Sequence, residues 1–145
     1  LGSWSVFGNP FDPLPLWMGC VAALFLFGGT TTKDILDAEA DRTVGTKTLV
    51  NVYGLKIASL FALVFMIGAF SLIIPLVYCH ILPTEVFPLS LLSVLSIIIG
   101  WLMLHKHKNT KRENTSAWTV MYTTYFLFAF SFAIITILFS ASASS

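Results

Sequence analysis

The sequence predicts an all-α protein, a multi-pass transmembrane helix bundle with four spanning helices, on three observations. Of its 145 residues 57% are hydrophobic and only 10% charged, and the mean hydropathy is +0.86, outside the range of a soluble domain. Four apolar runs are long enough to cross about 30 Å of hydrocarbon, which takes about 20 helical residues. All 8 basic residues fall in two connections that four crossings place on the same side of the membrane.

The first span, about 14–32, loosens at Gly28 and Gly29 before a polar continuation from Thr30. A charged connection, the motif loop, follows over about 33–56. The second span, about 57–79, contains Pro75, which a membrane helix tolerates when a neighbour satisfies the freed carbonyl, and which is expected to kink it. Spans three and four cover about 87–104 and 117–139, and the tail "SASASS" reads as a frayed terminus. The opening "LGSWSVFGNPFDPLP" has neither a basic n-region nor an initiator methionine, so it reads as part of a longer chain rather than as a signal peptide. Cys20 and Cys79 both sit in apolar stretches and read as small hydrophobes rather than as a disulfide. A net charge of +1 gives no reason to expect nucleic acid as a partner.

Charge fixes the expected orientation. Lys33, Arg42, Lys47 and Lys56 follow the first span, and Lys106, Lys108, Lys111 and Arg112 follow the third. The opposite face offers only Asp12 and Glu85. By the positive-inside rule the motif loop is cytoplasmic, in an integral protein of the cell membrane with membrane lipid all around it.

The stretch "KDILDAEADR" puts Asp34, Asp37 and Asp41 at i, i+3 and i+7, within about 60° of one another on a helix, while Glu39 points elsewhere. A carboxylate at the bilayer centre costs about 2.5 to 3.5 kcal/mol, so these acids must face water, a cavity or a cation. One reading is a solvated helix end, neutralised locally by Lys33 and Arg42. Against it stand the shared face, the hydroxyls at Thr30, Thr31 and Thr32, and the following "VGTKTL", in which Gly45 supplies a turn and Lys47 a further cation. Carboxylates one helical turn apart suit Mg²⁺, a hard ion that keeps waters and is completed by phosphate oxygens of a substrate. A cation path through a transporter or channel subunit, and a non-catalytic membrane subunit, are the readings from other classes.

The run "TTKDILDAEADRTVGTKTLVNVYG" resembles the second aspartate-rich motif of the UbiA superfamily of intramembrane prenyltransferases, Asp-x-x-Asp-x-x-x-Asp followed by Gly-x-x-Thr. Here these are Asp34, Asp37, Asp41, Gly45 and Thr48; Ala40 stands where many members carry glycine, and Val50 where several carry proline. The resemblance implies a helix bundle around a central cavity, and Mg²⁺-dependent transfer of a polyprenyl group from prenyl diphosphate to a lipophilic or aromatic acceptor. A quinone precursor is the expected acceptor, with the glycerol phosphate lipid of archaeal ether-lipid synthesis as the alternative. It further implies that Asp34, Asp37 and Asp41 anchor metal and diphosphate, with Lys33, Arg42 and Lys47 neutralising phosphate oxygens. The first aspartate-rich motif of the family is missing, so the chain reads as a C-terminal half, inactive without the N-terminal half that carries it.

Other residues carry less. Trp118, Tyr122 and Tyr125 follow helical spacing and fit either an acceptor pocket or an interfacial aromatic belt. His105 and His107 diverge by about 200° on a helix and read, with neighbouring lysines, as a headgroup-facing patch rather than a metal site. Asn51 and Tyr53 follow the motif as polar loop residues, and Gly68 and Gly100 read as close-packing positions between helices.

Overall fold

The computed structural model describes residues 11–105 and 111–143, and among these every regular element is a helix. Helix α1 runs Pro13–Val44, α2 is the short Leu49–Tyr53, α3 is Leu55–Ser71 and α4 is Ile73–Tyr78. A 3-10 helix at Thr84–Leu92 leads into α5, Ser93–His105, and α6 runs Lys111–Ala143. Four stretches are long and apolar enough to cross a membrane: Pro13–Val44, Leu55–Tyr78, Thr84–Leu104 and Thr115–Leu138. Lys106, His107 and Lys108 lie outside the described residues.

Local chemistry explains the boundaries. Pro13 and Pro15 open α1, where the missing N–H groups would be unpaired in any case. The second span is broken at Leu72 because Pro75 cannot donate to the carbonyl of Ser71, so that single residue separates α3 from α4. Helix α4 then ends in a capping turn: His80 donates to the Val77 carbonyl at 3.0 Å and Ile81 to that of Leu76 at 3.0 Å. This places His80 in the left-handed region, φ 56°, a position that glycine adopts without strain. Pro83 and Pro88 bracket the start of the third span, which therefore opens as a 3-10 helix instead of an α-helix.

The spans pack in a ring of neighbours: α1 against α3 and α6, and α5 against α3 and α6. Their shared core contains Val21, Phe25, Met66, Phe70, Ile99 and Phe128, with Phe70 ringed by Phe25 at 4.9 Å and Phe128 at 5.6 Å. Two adjacent glycines set the approach of α1. A Cβ at Gly28 would lie 2.6 Å from the Ala62 carbonyl oxygen of α3, and one at Gly29 would lie 2.9 Å from the Met121 side chain of α6. Gly100 approaches only the flexible end of Leu63, and Gly68 has open space around it. The expectation of close packing at Gly68 is thus corrected: this glycine lies on the outward, exposed side of α3.

Buried hydroxyls are tied to backbone carbonyls: Ser96 donates from α5 to the Met66 carbonyl of α3 at 3.2 Å, and Thr124 to Val120 at 2.8 Å. Ser59 on α3 is fully buried, with its Oγ unpartnered among the described residues.

These contacts rank the glycines. Gly28→Ala is expected to lower thermal stability in detergent more than Gly29→Ala or Gly100→Ala, because backbone yields less than a side-chain tip. His80→Gly is expected to raise stability by about 0.5–1 kcal/mol, read from the same melts.

Candidate functional site

The acidic stretch is helical, as its spacing requires. Helix α1 continues without a break through Asp34, Asp37 and Asp41, so only 45–48 and Gly54 of the 33–56 connection are irregular. The cap that stops it coincides with the Gly-x-x-Thr turn. Gly45, at φ 80°, donates to the Arg42 carbonyl at 3.4 Å, and Thr46 to that of Asp41 at 2.9 Å, the paired bonds of a Schellman end. Thr48 then starts α2, accepting from the Asn51 N–H at 3.3 Å, while the Asn51 amide donates to the Thr46 carbonyl at 3.3 Å. Glycine ends one helix and threonine begins the next, with Lys47 exposed between them. Val50 buries α2 against the core, and Gly54, at φ 83°, releases the chain into α3.

All three aspartates are half-buried, and Glu39, on the opposite side of α1, is exposed. The acids also extend a longer pattern. Cys20, Ala23, Phe27 and Thr30 are exposed at the same alternating spacing of three and four that joins Asp34, Asp37 and Asp41. One stripe therefore runs along α1 from within the span into the acidic end. Sequence reading stopped at Thr30; the three-four alternation would have carried it back to Cys20. The stripe lies on the side of α1 turned away from Gly28, Gly29 and the core that the four spans share.

Lys33, Arg42 and Lys47 are exposed, and Lys33 and Arg42 leave α1 on opposite flanks of the stripe. Among the described residues neither forms an ion pair with the aspartates. Nor do the threonines supply protons to them: Thr30 donates to the Phe27 carbonyl at 2.9 Å and Thr32 to that of Gly29 at 2.7 Å. Three carboxylates on one face, each short of a donor, are chemically suited to a hard cation. They do not form a cage, since among the described residues no three acidic, histidine or cysteine groups are placed to hold a metal by themselves. An ion bound here takes its remaining ligands from water or from a phosphorylated substrate.

On α6, Trp118 and Tyr125 are half-buried and Tyr122 is exposed, with the Trp118 and Tyr122 rings edge to face at 4.9 Å. The side chain of His105 and the whole of His107 lie outside what the structure describes.

Gly45→Ala is expected to cost about 1 kcal/mol by forcing a side chain into the left-handed cap, and Thr48→Ala about 1 kcal/mol by removing the α2 cap. Thermal melts in detergent would check both, and neither change should alter the helical content of the spans.

A model of the UbiA prenyltransferase family matches residues 1–124. No curated protein and no solved structure matches the chain.

Proposed function

The chain belongs to the UbiA prenyltransferase family, an integral membrane family that transfers a prenyl group to a lipophilic acceptor, and on that premise we propose what its own residues do. Asp34, Asp37 and Asp41 hold Mg²⁺ against the diphosphate of a prenyl donor, and Lys33, Arg42 and Lys47 meet the outer phosphate oxygens. The observation that carries this reading is the acidic stripe itself: three half-buried carboxylates on one face, with no ion-pair partner among the described residues. Arg42 offers a planar fork for two phosphate oxygens, whereas Lys33 and Lys47 act as point charges.

Magnesium, when bound, neutralises the charge that develops on the departing diphosphate. The C1–O bond breaks with its electron pair leaving on the diphosphate oxygen. The acceptor supplies the pair that forms the new bond to C1 and loses a proton. The stripe from Thr30 back to Cys20 gives the prenyl tail a lipid-like path beside the acids, which is why a soluble scaffold is not needed. The charge asymmetry of the connections supports a cytoplasmic acidic end. The acids face away from the core of these four spans, which supports a chamber completed by further helices, an N-terminal half carrying the first aspartate-rich motif. The expected acceptor is aromatic, a quinone precursor; a glycerol phosphate lipid is the alternative within the same chemistry.

The test is prenyl transfer by the full-length protein in detergent or liposomes. Asp37→Asn and Asp41→Asn are each expected to lower turnover at least a hundredfold, chelation of Mg²⁺ to abolish it, and the isolated 145 residues to show none. Unchanged transfer by both Asn variants would favour a non-catalytic membrane subunit. Cation flux without transfer would favour a transporter.

A further inference from the structure

The aromatic residues of α6 open on the same side of the bundle as the acids. On α6, Ala117, Met121, Thr124 and Phe128 are buried, and Met121 meets Gly29 of α1. Trp118, Tyr122 and Tyr125 lie within about 60° of one another, displaced from that buried face toward the α1 side. On α1, Gly28 faces α3 and Gly29 faces α6, and Lys33, Asp37 and Thr30 follow past Gly29 in the same rotational direction. With α1 and α6 antiparallel, both flanks look outward from the α1–α6 seam on one side.

Depth along α6 separates Tyr122 and Tyr125, though not Trp118, from an interfacial belt. At about 1.5 Å per residue Tyr122 and Tyr125 lie about 10 Å and 15 Å along the apolar stretch Thr115–Leu138, within its first half. Belt aromatics sit at the headgroups, where a polar tip finds water. Neither tyrosine hydroxyl has a hydrogen-bond partner among the described residues. The exposed threonines beside them are different: Thr119 and Thr123 each donate to the carbonyl four residues back, at 2.9 Å. Two unpartnered phenols facing lipid at that depth are costly, so their surroundings contain a polar group.

Relative to the same contact, Gly29 with Met121, Trp118 lies about 3 Å deeper than Asp34, Tyr122 about 9 Å and Tyr125 about 14 Å. A diphosphate held at the acids puts its C1 a few ångströms further in, at the level of Trp118 and Tyr122.

We propose that Trp118, Tyr122 and Tyr125 are the acceptor-binding wall: the Trp118 and Tyr122 rings pack a planar aromatic acceptor beside C1, and the two tyrosine hydroxyls hydrogen-bond its polar substituents. This rests on the prenyltransferase reading above, with the acceptor class now tied to named residues. The test assays the full-length protein with geranylgeranyl diphosphate against hydroxylated benzoic acids and naphthoic acids, and against a glycerol phosphate lipid. Wild type is expected to prenylate an aromatic acid. Tyr122→Phe and Tyr125→Phe, which delete only the hydroxyl, are expected to raise the acceptor KM about tenfold while leaving the KM for the diphosphate and the melting temperature unchanged. Wild-type transfer with unaltered acceptor KM in both variants overturns the proposal, as does turnover of the glycerol phosphate lipid alone. No transfer by wild type to any acceptor would instead overturn the prenyltransferase reading itself.

Discussion

The rotation of α1 about its own axis decides what the rest of the protein can do. Gly28 and Gly29 fix that rotation by admitting two different neighbours at adjacent positions, the backbone of α3 at one and the Met121 side chain at the other. Adjacent residues diverge by about 100°, so the two contacts leave α1 only one orientation between α3 and α6. Asp34, Asp37 and Asp41 are then carried to the side left open. A turn of one residue would move the acids by about 100° and press at least one carboxylate toward the apolar core, at a cost of several kcal/mol unless it found a partner. In lipid, where apolar association offers little, close backbone approach of this kind is what holds helices together.

The same helix must solve a second problem, ending a charged segment at the membrane surface without leaving carbonyls unpaired. The Schellman turn at Gly45 does this within two residues, and Thr48 restarts the chain as α2, whose Val50 closes over the core. The turn therefore holds Arg42 and Lys47 close to the end of the acidic stripe. Acids and bases come from one continuous piece of backbone, so their relative placement is set by helix caps, each worth about 1 kcal/mol, rather than by distant packing.

Hydropathy made the four spans legible, because a run of about 20 apolar residues has few alternatives. The stripe of aspartates was legible for a related reason: spacing alone puts Asp34, Asp37 and Asp41 on one face and Glu39 off it. What the sequence did not reveal were features that depend on neighbours. Spacing already put Asp34, Asp37 and Asp41 on a helix, but charge density hid how far that helix runs, to Val44 within the connection expected over 33–56. Gly68 read as a packing residue because glycine type cannot say which side of α3 faces a partner. The 3-10 start of the third span follows from Pro83 and Pro88 acting together, which a hydropathy window does not register.

Phase also explains why the acids lie on an open side of these four spans. The four spans share one core, centred on Phe25, Phe70 and Phe128, and each helix has one side to give it. Helix α1 has given its glycine side, so its acidic side is free only because it contributes nothing to that core. Phe27 shows the boundary: it is exposed on the stripe, yet its ring meets Phe61 at 5.8 Å and Phe65 at 5.0 Å on α3. Aromatic rings thus flank the stripe on the α3 side as Trp118 and Tyr122 do on the α6 side, and the acids stand at one end of that aromatic border. A prenyl chain entering along Ala23 and Phe27 would meet apolar contact first and charge last. That ordering fits the prenyl donor we propose, apolar along its tail and doubly phosphorylated at its head.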